Sequence, residues 1–133
     1  MKKILLLFAI ALAVVSCQDE ASQSSKVINV QIKASDWLSY NDSAKSCKFY
    51  YYNSSVPEMN STVFKSGNVY AFVEDSIFAK ALPYTIRTEK QGTDWTRSTT
   101  FSYSEGKMTF YVIYPSLNSS PPAVSNFRVV ITD

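Results

Sequence analysis

The chain has 133 residues, with 13 lysines and arginines, 11 aspartates and glutamates, and no histidine. Without histidine, Ser-His-Asp and Cys-His catalytic groups and histidine-containing zinc sites are excluded. The three glycines, Gly67, Gly92 and Gly106, stand far apart, which excludes a glycine-rich phosphate loop.

The first sixteen residues have the pattern of a secretory signal peptide. Lys2 and Lys3 precede twelve uninterrupted apolar residues, from Ile4 to Val15, which is the order of an export leader. As a helix the apolar run spans about 18 Å, well short of the ~30 Å hydrocarbon core of a bilayer. We therefore expect residues 1–16 to be a signal helix that is removed rather than a permanent membrane anchor.

The end of this leader resembles the lipobox of bacterial lipoprotein precursors. Val14, Val15 and Ser16 precede Cys17, which matches the aliphatic, small, small, cysteine order of that family. The resemblance implies that a diacylglycerol is attached to the Cys17 thiol, that cleavage occurs before Cys17, and that the new amine is acylated. Two or three acyl chains give stable anchoring, so the resemblance predicts attachment to the outer membrane through the N-terminal lipid.

The residues after the cysteine are polar and acidic. Gln18, Asp19 and Glu20 resemble the short acidic tag of surface-exposed lipoproteins in the Bacteroidota. A solvated tether has the same composition, so the cell surface and the periplasmic face of the membrane both stay open. Residues 21–26 are rich in serine, and a flexible tether is predicted over residues 17–26.

Charge and size change when the leader is removed. Taking 16 residues from 133 leaves 117, which suits one domain with a single core. Lys2 and Lys3 leave with the leader, so 11 basic and 11 acidic residues remain. A balanced charge without a basic cluster gives no footprint for nucleic acid.

Cysteine usage is equally restrictive. With Cys17 assigned to the lipid, Cys47 is the one thiol left, so neither an intramolecular disulfide nor a thiolate metal site can form, and no cofactor is predicted. In the local alternation Cys47 shares a face with Phe49 and Tyr51. We therefore expect Cys47 to be a buried thiol that acts as a small hydrophobe.

Period-two alternation with turn residues between the runs predicts β-strands after residue 26. The predicted strands cover residues 27–33, 45–52, 61–65, 69–74, 82–88, 95–104, 107–114 and 126–132. Pro83 lacks an N–H group and so belongs at a sheet edge or at the entry to its strand, whereas two apolar faces place strand 69–74 centrally. Glu105 and Gly106 predict a hairpin turn.

These elements predict the fold of residues 27–133. About seven to nine short strands at this spacing favour an all-β domain, an antiparallel immunoglobulin-like or Greek-key β-sandwich. A closed barrel is the alternative, which the edge-type prolines make less favourable.

The mature region also resembles a family. Trp37, the aromatic strand at 49–52, the "ALPYTI" segment at 81–86 and the terminal "FRVVIT" follow the spacing of small Bacteroidota outer-membrane lipoproteins of unknown function. Phe78 stands where many of those relatives carry a tryptophan. The resemblance implies a β-sandwich on the envelope and no inherited active site.

Aromatic residues make up 14% of the chain, and several fall in predicted loops or on less apolar strand faces. Aromatic rings stack on sugar faces, and phenol and indole groups bond to hydroxyls. Both tryptophans also fit structural roles, and Trp37 fits a lid over the core. The sequence predicts a non-catalytic module that binds a glycan or a protein ligand. The candidate ligand-binding residues are Trp37, Tyr40, Tyr50, Tyr52 and Trp95.

Two other functions stay open. A tethered sandwich could be an adhesin-like or envelope-assembly subunit that pairs through an exposed sheet edge. Paired carboxylates for glycoside hydrolysis are formally available. Scattered acidic residues are usually solvated loop charges, so we predict that the protein is not an enzyme.

Two tripeptides resemble the Asp, Ser or Thr, aliphatic acceptor pattern for protein O-glycosylation in Bacteroides-type envelopes. They lie at residues 42–44 and 75–77 and offer Ser43 and Ser76 as acceptors. Ser43 is in a polar loop, where an acceptor is accessible. The alternative interpretation is that both Asp-Ser pairs only start turns.

Overall fold

The structure is a computed structural model. It describes the backbone of residues 24–90 and 93–133 and the side chains of residues 24–87 and 96–133. The predicted leader (1–16), Cys17 and most of the predicted tether lie outside these residues. Within them, β1 begins at Ser25, two residues before the predicted start of the domain.

Nine strands form within the described residues, together with one short α-helix, α1 (Ser61–Ser66), and a 3₁₀ turn (Ala34–Asp36). The strands are β1 (Ser25–Ile32), β2 (Leu38–Asp42), β3 (Cys47–Ser55), β4 (Asn68–Glu74), β5 (Ala79–Ala81), β6 (Tyr84–Lys90), β7 (Thr93–Ser104), β8 (Lys107–Tyr114) and β9 (Ser125–Thr132). They form a four-stranded sheet in the order β1-β9-β4-β5 and a five-stranded sheet in the order β2-β3-β8-β7-β6. Every pairing is antiparallel. The predicted all-β sandwich is confirmed.

The strand order corresponds to that of an immunoglobulin domain. Such domains place strands A, B, E and D in one sheet and C, F and G in the other. Here β2, β3, β8 and β7 have the order of A, B, E and D, and β4, β9 and β1 have the order of C, F and G. The first strand therefore takes the position of G, which in an immunoglobulin domain is the last strand. The strands β5 and β6 extend the two sheets at one side.

The core lies between the inward faces of β8 and β9. Alternation turns Phe110 and Val112 inward from one sheet, and Phe127 and Val129 inward from the other, and none of the four is more than 3% exposed. The Phe110 and Phe127 rings stack with centroids 4.4 Å apart, so they join the two sheets at the centre. These inward faces agree with the sequence prediction.

Strand β3 has the opposite orientation to the predicted one. Its buried residue is Tyr50, at 2% exposure, so Cys47, Phe49 and Tyr51 lie on the outer face of the sheet. Cys47 is half-buried, and the prediction of a buried thiol is wrong. Residues 49–52 are aromatic on both faces of the strand, and local alternation therefore could not identify the inward side.

The predicted strand over residues 61–65 is the helix α1. The Asn60 side chain caps it by accepting the Val63 N–H at 3.0 Å, and Gly67 N–H donates to the Val63 carbonyl at the other end. The β-branched Thr62 and Val63 suggested a strand, but an Asn cap and a following glycine are helix boundary signals.

Other local predictions are confirmed. Strand β4 is central in its sheet and β6 is an edge strand. Gly106 has φ 75° in the turn between β7 and β8, a conformation that glycine adopts with little strain. The sequence missed β2 and β5, which are short and largely exposed.

Candidate functional site

The outer face of the five-stranded sheet carries a group of aromatic side chains. Because Tyr50 and Phe110 point into the core, their neighbours Phe49, Tyr51 and Tyr111 point outward. These three side chains are half-buried. Tyr40 of β2, at 59% exposure, lies on the same face. We call Tyr40, Phe49, Tyr51 and Tyr111 the aromatic platform.

Strand register determines how these rings are placed. Tyr40 pairs with Phe49, and Tyr51 pairs with Tyr111, so the platform crosses three neighbouring strands that are about 4.8 Å apart. The Tyr40 and Phe49 rings lie 6.0 Å apart and are tilted by 49°. Strand pairing fixes the backbone positions from which all four side chains project.

Polar side chains continue the same face. Thr109 donates a hydrogen bond to Asn53 Oδ1 at 2.8 Å, and the hydroxyls of Tyr111 and Ser102 are 3.2 Å apart. Among the described residues no acceptor is bonded to Asn53 Nδ2, so both of its N–H donors are available. Together with the platform, Asn53, Thr109 and Lys107 line a hollow of about 360 Å³, within the size range of small-molecule sites.

The structure brings one of the predicted ligand-binding residues, Tyr40, to this surface. Tyr50 is buried, and its hydroxyl donates to the Ser119 carbonyl, which fixes the connection between β8 and β9. Tyr52 packs against the core from the inner face. Trp37 is 7% exposed and packs edge-on against Phe127. It has the core-lid position that the sequence offered as the alternative.

Trp95 lies outside the residues whose side chains are described. Its backbone is in β7, opposite Thr88 of β6.

Sequence reasoning missed Phe49, Tyr51 and Tyr111. A signal was available in the strongly apolar alternation of Met108, Phe110 and Val112, which already assigned Tyr111 to the outer face. The partner strand was the missing information, because only the pairing of β3 with β8 places Tyr51 beside Tyr111.

The structure contains a second hollow, a cavity of about 410 Å³ between the two sheets. It lies at the Ser125 end of β9, whereas α1 lies at the Thr132 end, beside Gly67. Val73, Tyr84, Ile86, Arg97 and Thr99 are among its lining residues, and so are Asp75, Phe78, Lys80 and Val124. Phe78 and Val124 are 56% and 55% exposed, so the cavity opens to solvent on their side.

The Asp75 carboxylate, beside the mouth of this cavity, is held by backbone hydrogen bonds. Its Oδ1 accepts the backbone N–H groups of Phe78 at 2.6 Å and Ile77 at 2.7 Å. These two bonds, first that of Phe78, lower the Asp75 pKa from its ordinary value of 3.8, and the charge of Lys80 adds to them. The Asp75 carboxylate is therefore bound to its own turn.

Both proposed glycan acceptors lie in exposed turns between strands. Ser43 is exposed beside Asp42, whose Oδ1 accepts the Lys45 N–H at 3.2 Å. Ser76 is exposed in the turn that Asp75 stabilises. The turn-forming role of both aspartates is present, and glycosylation of the serines stays a prediction.

Across residues 24–87 and 96–133, acidic and cysteine side chains form no cluster suited to a metal ion. No helix in that part of the chain has the length and apolar character needed to cross a membrane. No protein-family model, curated protein or solved structure matches the chain.

Proposed function

We propose that the protein is a lipid-anchored, non-catalytic module of the cell envelope that binds a glycan on the aromatic platform. One observation carries the proposal: four accessible rings share one sheet face with amide and hydroxyl groups. The anchor is proposed separately, from the lipobox resemblance at Cys17.

Sugar rings present both kinds of surface that this face would contact. Their C–H faces pack against aromatic rings, and their hydroxyls bond to amide, phenol and hydroxyl groups. Tyr51 and Tyr111 supply neighbouring rings. Asn53 lies two residues after Tyr51 in β3 and therefore on the same face of the sheet. Across from them, β7 places Thr100 opposite Tyr111 and Ser102 opposite Thr109, so hydroxyl groups border the rings.

The charge of the hollow suits a neutral or an acidic sugar rather than a cationic ligand. Lys107 is the one charged side chain among its lining residues. A protein ligand fits less well, because stable interfaces bury about 800 Å² on each partner around an apolar centre. The platform is narrow and is bordered by hydroxyl groups instead.

The test is a glycan array probed with the chain from residue 17 onward, carrying Cys17→Ser so that all described residues are retained. The strongest oligosaccharide is then titrated by calorimetry. We expect Tyr51→Ala and Tyr111→Ala each to weaken its binding on the order of tenfold, since each removes one stacking surface.

The matched control is Tyr70→Ala. Tyr70 is 53% exposed and lies on the outer face of the other sheet, so its removal should leave glycan affinity unchanged. The proposal fails if no oligosaccharide binds above background, or if the Tyr51→Ala and Tyr111→Ala variants bind as tightly as the parent chain.

Anchoring is tested by Cys17→Ser in the full precursor. Without the thiol no diacylglycerol can attach, so the variant should leave the outer-membrane fraction. A parallel variant, Asp19→Ala with Glu20→Ala, should keep the lipid. On whole cells, less of this variant should be accessible to added protease. Full retention of the Cys17→Ser protein in the membrane fraction would contradict the anchor.

The alternative is a subunit of an envelope assembly. The observation in its favour is β1, an eight-residue strand that pairs only with β9 within the described residues. A partner strand could add to this edge. Replacing Asn29 by proline should then abolish assembly and leave glycan binding intact, which separates the two functions.

A further inference from the structure

We propose that the cavity between the two sheets is a second binding site, which takes an organic monocarboxylate through the guanidinium of Arg97. Three features of the cavity support this site: the charges that line it, the partners that those charges already have, and its volume and apolar walls.

The acidic groups near the cavity already have partners. The Asp75 carboxylate accepts two backbone N–H groups of its own turn. Glu74 forms an ion pair with Arg128, with Oε1 and Nε 3.0 Å apart. Neither acid is paired with Arg97.

The two cations that line the cavity differ in their surroundings. Lys80 Nζ lies 4.8 Å from the ring centroid of Phe78 and 5.7 Å from that of Tyr84, so aromatic faces receive its charge. Arg97 Nε is buried and has no hydrogen-bond partner among the described residues. A buried, unbonded donor is costly and uncommon in a native structure. An anion in the cavity would supply the missing acceptor.

The lining favours a single negative charge. Lys80 and Arg97 contribute two positive charges and Asp75 one negative charge, while Glu74 is neutralised by Arg128. A planar carboxylate matches the fork of a guanidinium and can accept two parallel N–H bonds. A dianion such as phosphate would leave one negative charge in the cavity without a compensating cation.

The other lining residues indicate the chemistry of the part of the ligand that is not the carboxylate. Val73 and Ile86 line the cavity from opposite sheets, and the hydroxyl-bearing residues Tyr84 and Thr99 lie beside Arg97. A volume of about 410 Å³ falls in the range of small-molecule sites. The ligand is therefore a compact body with an apolar or C–H face that carries one carboxylate. A sugar acid and an aromatic acid both have this chemistry.

The inference is independent of the aromatic platform. Arg97 and Tyr84 point from β7 and β6 into the space between the sheets, whereas the platform lies on the outer face of β2, β3 and β8. Binding at one site can therefore be disproved without affecting the proposal for the other.

The test is a nuclear magnetic resonance titration of the isotope-labelled chain from residue 17 onward with Cys17→Ser. The probes are glucuronate with glucose as its neutral counterpart, benzoate with benzyl alcohol as its counterpart, and inorganic sulfate. We expect at least one carboxylate to shift the amide signals of Ile86, Thr99 and Val124 in a saturable way. Neither neutral counterpart should shift them. Binding of glucuronate would indicate a sugar acid as the ligand, and binding of benzoate would indicate an aromatic acid.

Variants of Arg97 then test whether its guanidinium binds the carboxylate. We expect Arg97→Gln to weaken the carboxylate at least about tenfold, because a charged hydrogen-bonded pair is lost. We expect Arg97→Lys to bind with intermediate affinity, because an ammonium keeps the charge but not the fork. The matched control is Arg87→Gln, since Arg87 is exposed on the opposite face of the neighbouring strand.

Three results would overturn the proposal. They are the absence of cavity shifts with both carboxylates, equal affinity for sulfate, and unchanged affinity in Arg97→Gln. Folding of each variant is checked from the amide signals of Val130 and Ile131, at the end of β9 that is far from the cavity. Arg97→Lys keeps the test valid if Arg97→Gln does not fold.

Discussion

Removing the Phe127 ring should destabilise the sandwich more than any loss at its surface. The ring is 2% exposed, stacks on Phe110 at 4.4 Å and meets the edge of Trp37 at 6.4 Å. Both ring partners, Phe110 and Trp37, are themselves buried, so they have little freedom to move into the space left by Phe127→Ala. We expect a loss near the upper end of the usual range for such changes, about 4–5 kcal/mol.

That loss is a large part of the total, because domains of this size are stable by about 5–15 kcal/mol. The assay is equilibrium urea unfolding of the chain from residue 17 with Cys17→Ser, followed by tryptophan fluorescence. The control is Phe64→Ala. Phe64 is 46% exposed and has one edge-on ring contact, with Tyr103 at 6.2 Å, so its removal should cost under about 1 kcal/mol.

A double-mutant cycle isolates the contact between the sheets. Phe110→Leu and Phe127→Leu should show a coupling of about 0.5–1.5 kcal/mol, the usual contribution of a stacked pair beyond its buried area. Two results would refute the reasoning: a coupling near zero, or a Phe127→Ala loss no larger than that of Phe64→Ala. Either would show that the sheets do not pack through these two rings.

Three further outcomes are expected. Gly67→Ala should lower the urea midpoint more than Gly106→Ala does, because a Cβ at Gly67 would lie 2.6 Å from a β9 backbone oxygen, whereas a Cβ at Gly106 meets no atom and costs only the strain of its positive φ; equal effects would contradict this. The Phe78 amide signal should titrate with a midpoint below pH 3.8, because a lowered Asp75 pKa keeps the turn bonded above that pH and loses the bonds as pH falls further; a midpoint at or above 3.8 would count against it. Protein from a Bacteroides-type host should show a glycan-sized mass increment that Ser43→Ala removes, and an intact mass equal to the lipidated polypeptide alone would refute the modification.

The sequence by itself determined most of the strands and the inward faces of two of them. In β8 and β9 one face is strongly apolar and the other is more polar, so period-two alternation identifies both the strand and the side that is buried. The turn at Gly106 was equally readable, because a positive φ favours glycine locally. These are features of neighbouring residues, which the sequence displays directly.

The tertiary structure decided what the sequence left ambiguous. In β3 both faces are aromatic, so only the packing of the two sheets shows that Tyr50 is inside and Tyr51 outside. The platform needs β8 beside β3, strands that are far apart in the chain. The cavity needs β4 of one sheet to lie across from β6 and β7 of the other. Register and sheet packing arise from contacts between distant segments, and a local pattern carries no record of which segments will meet.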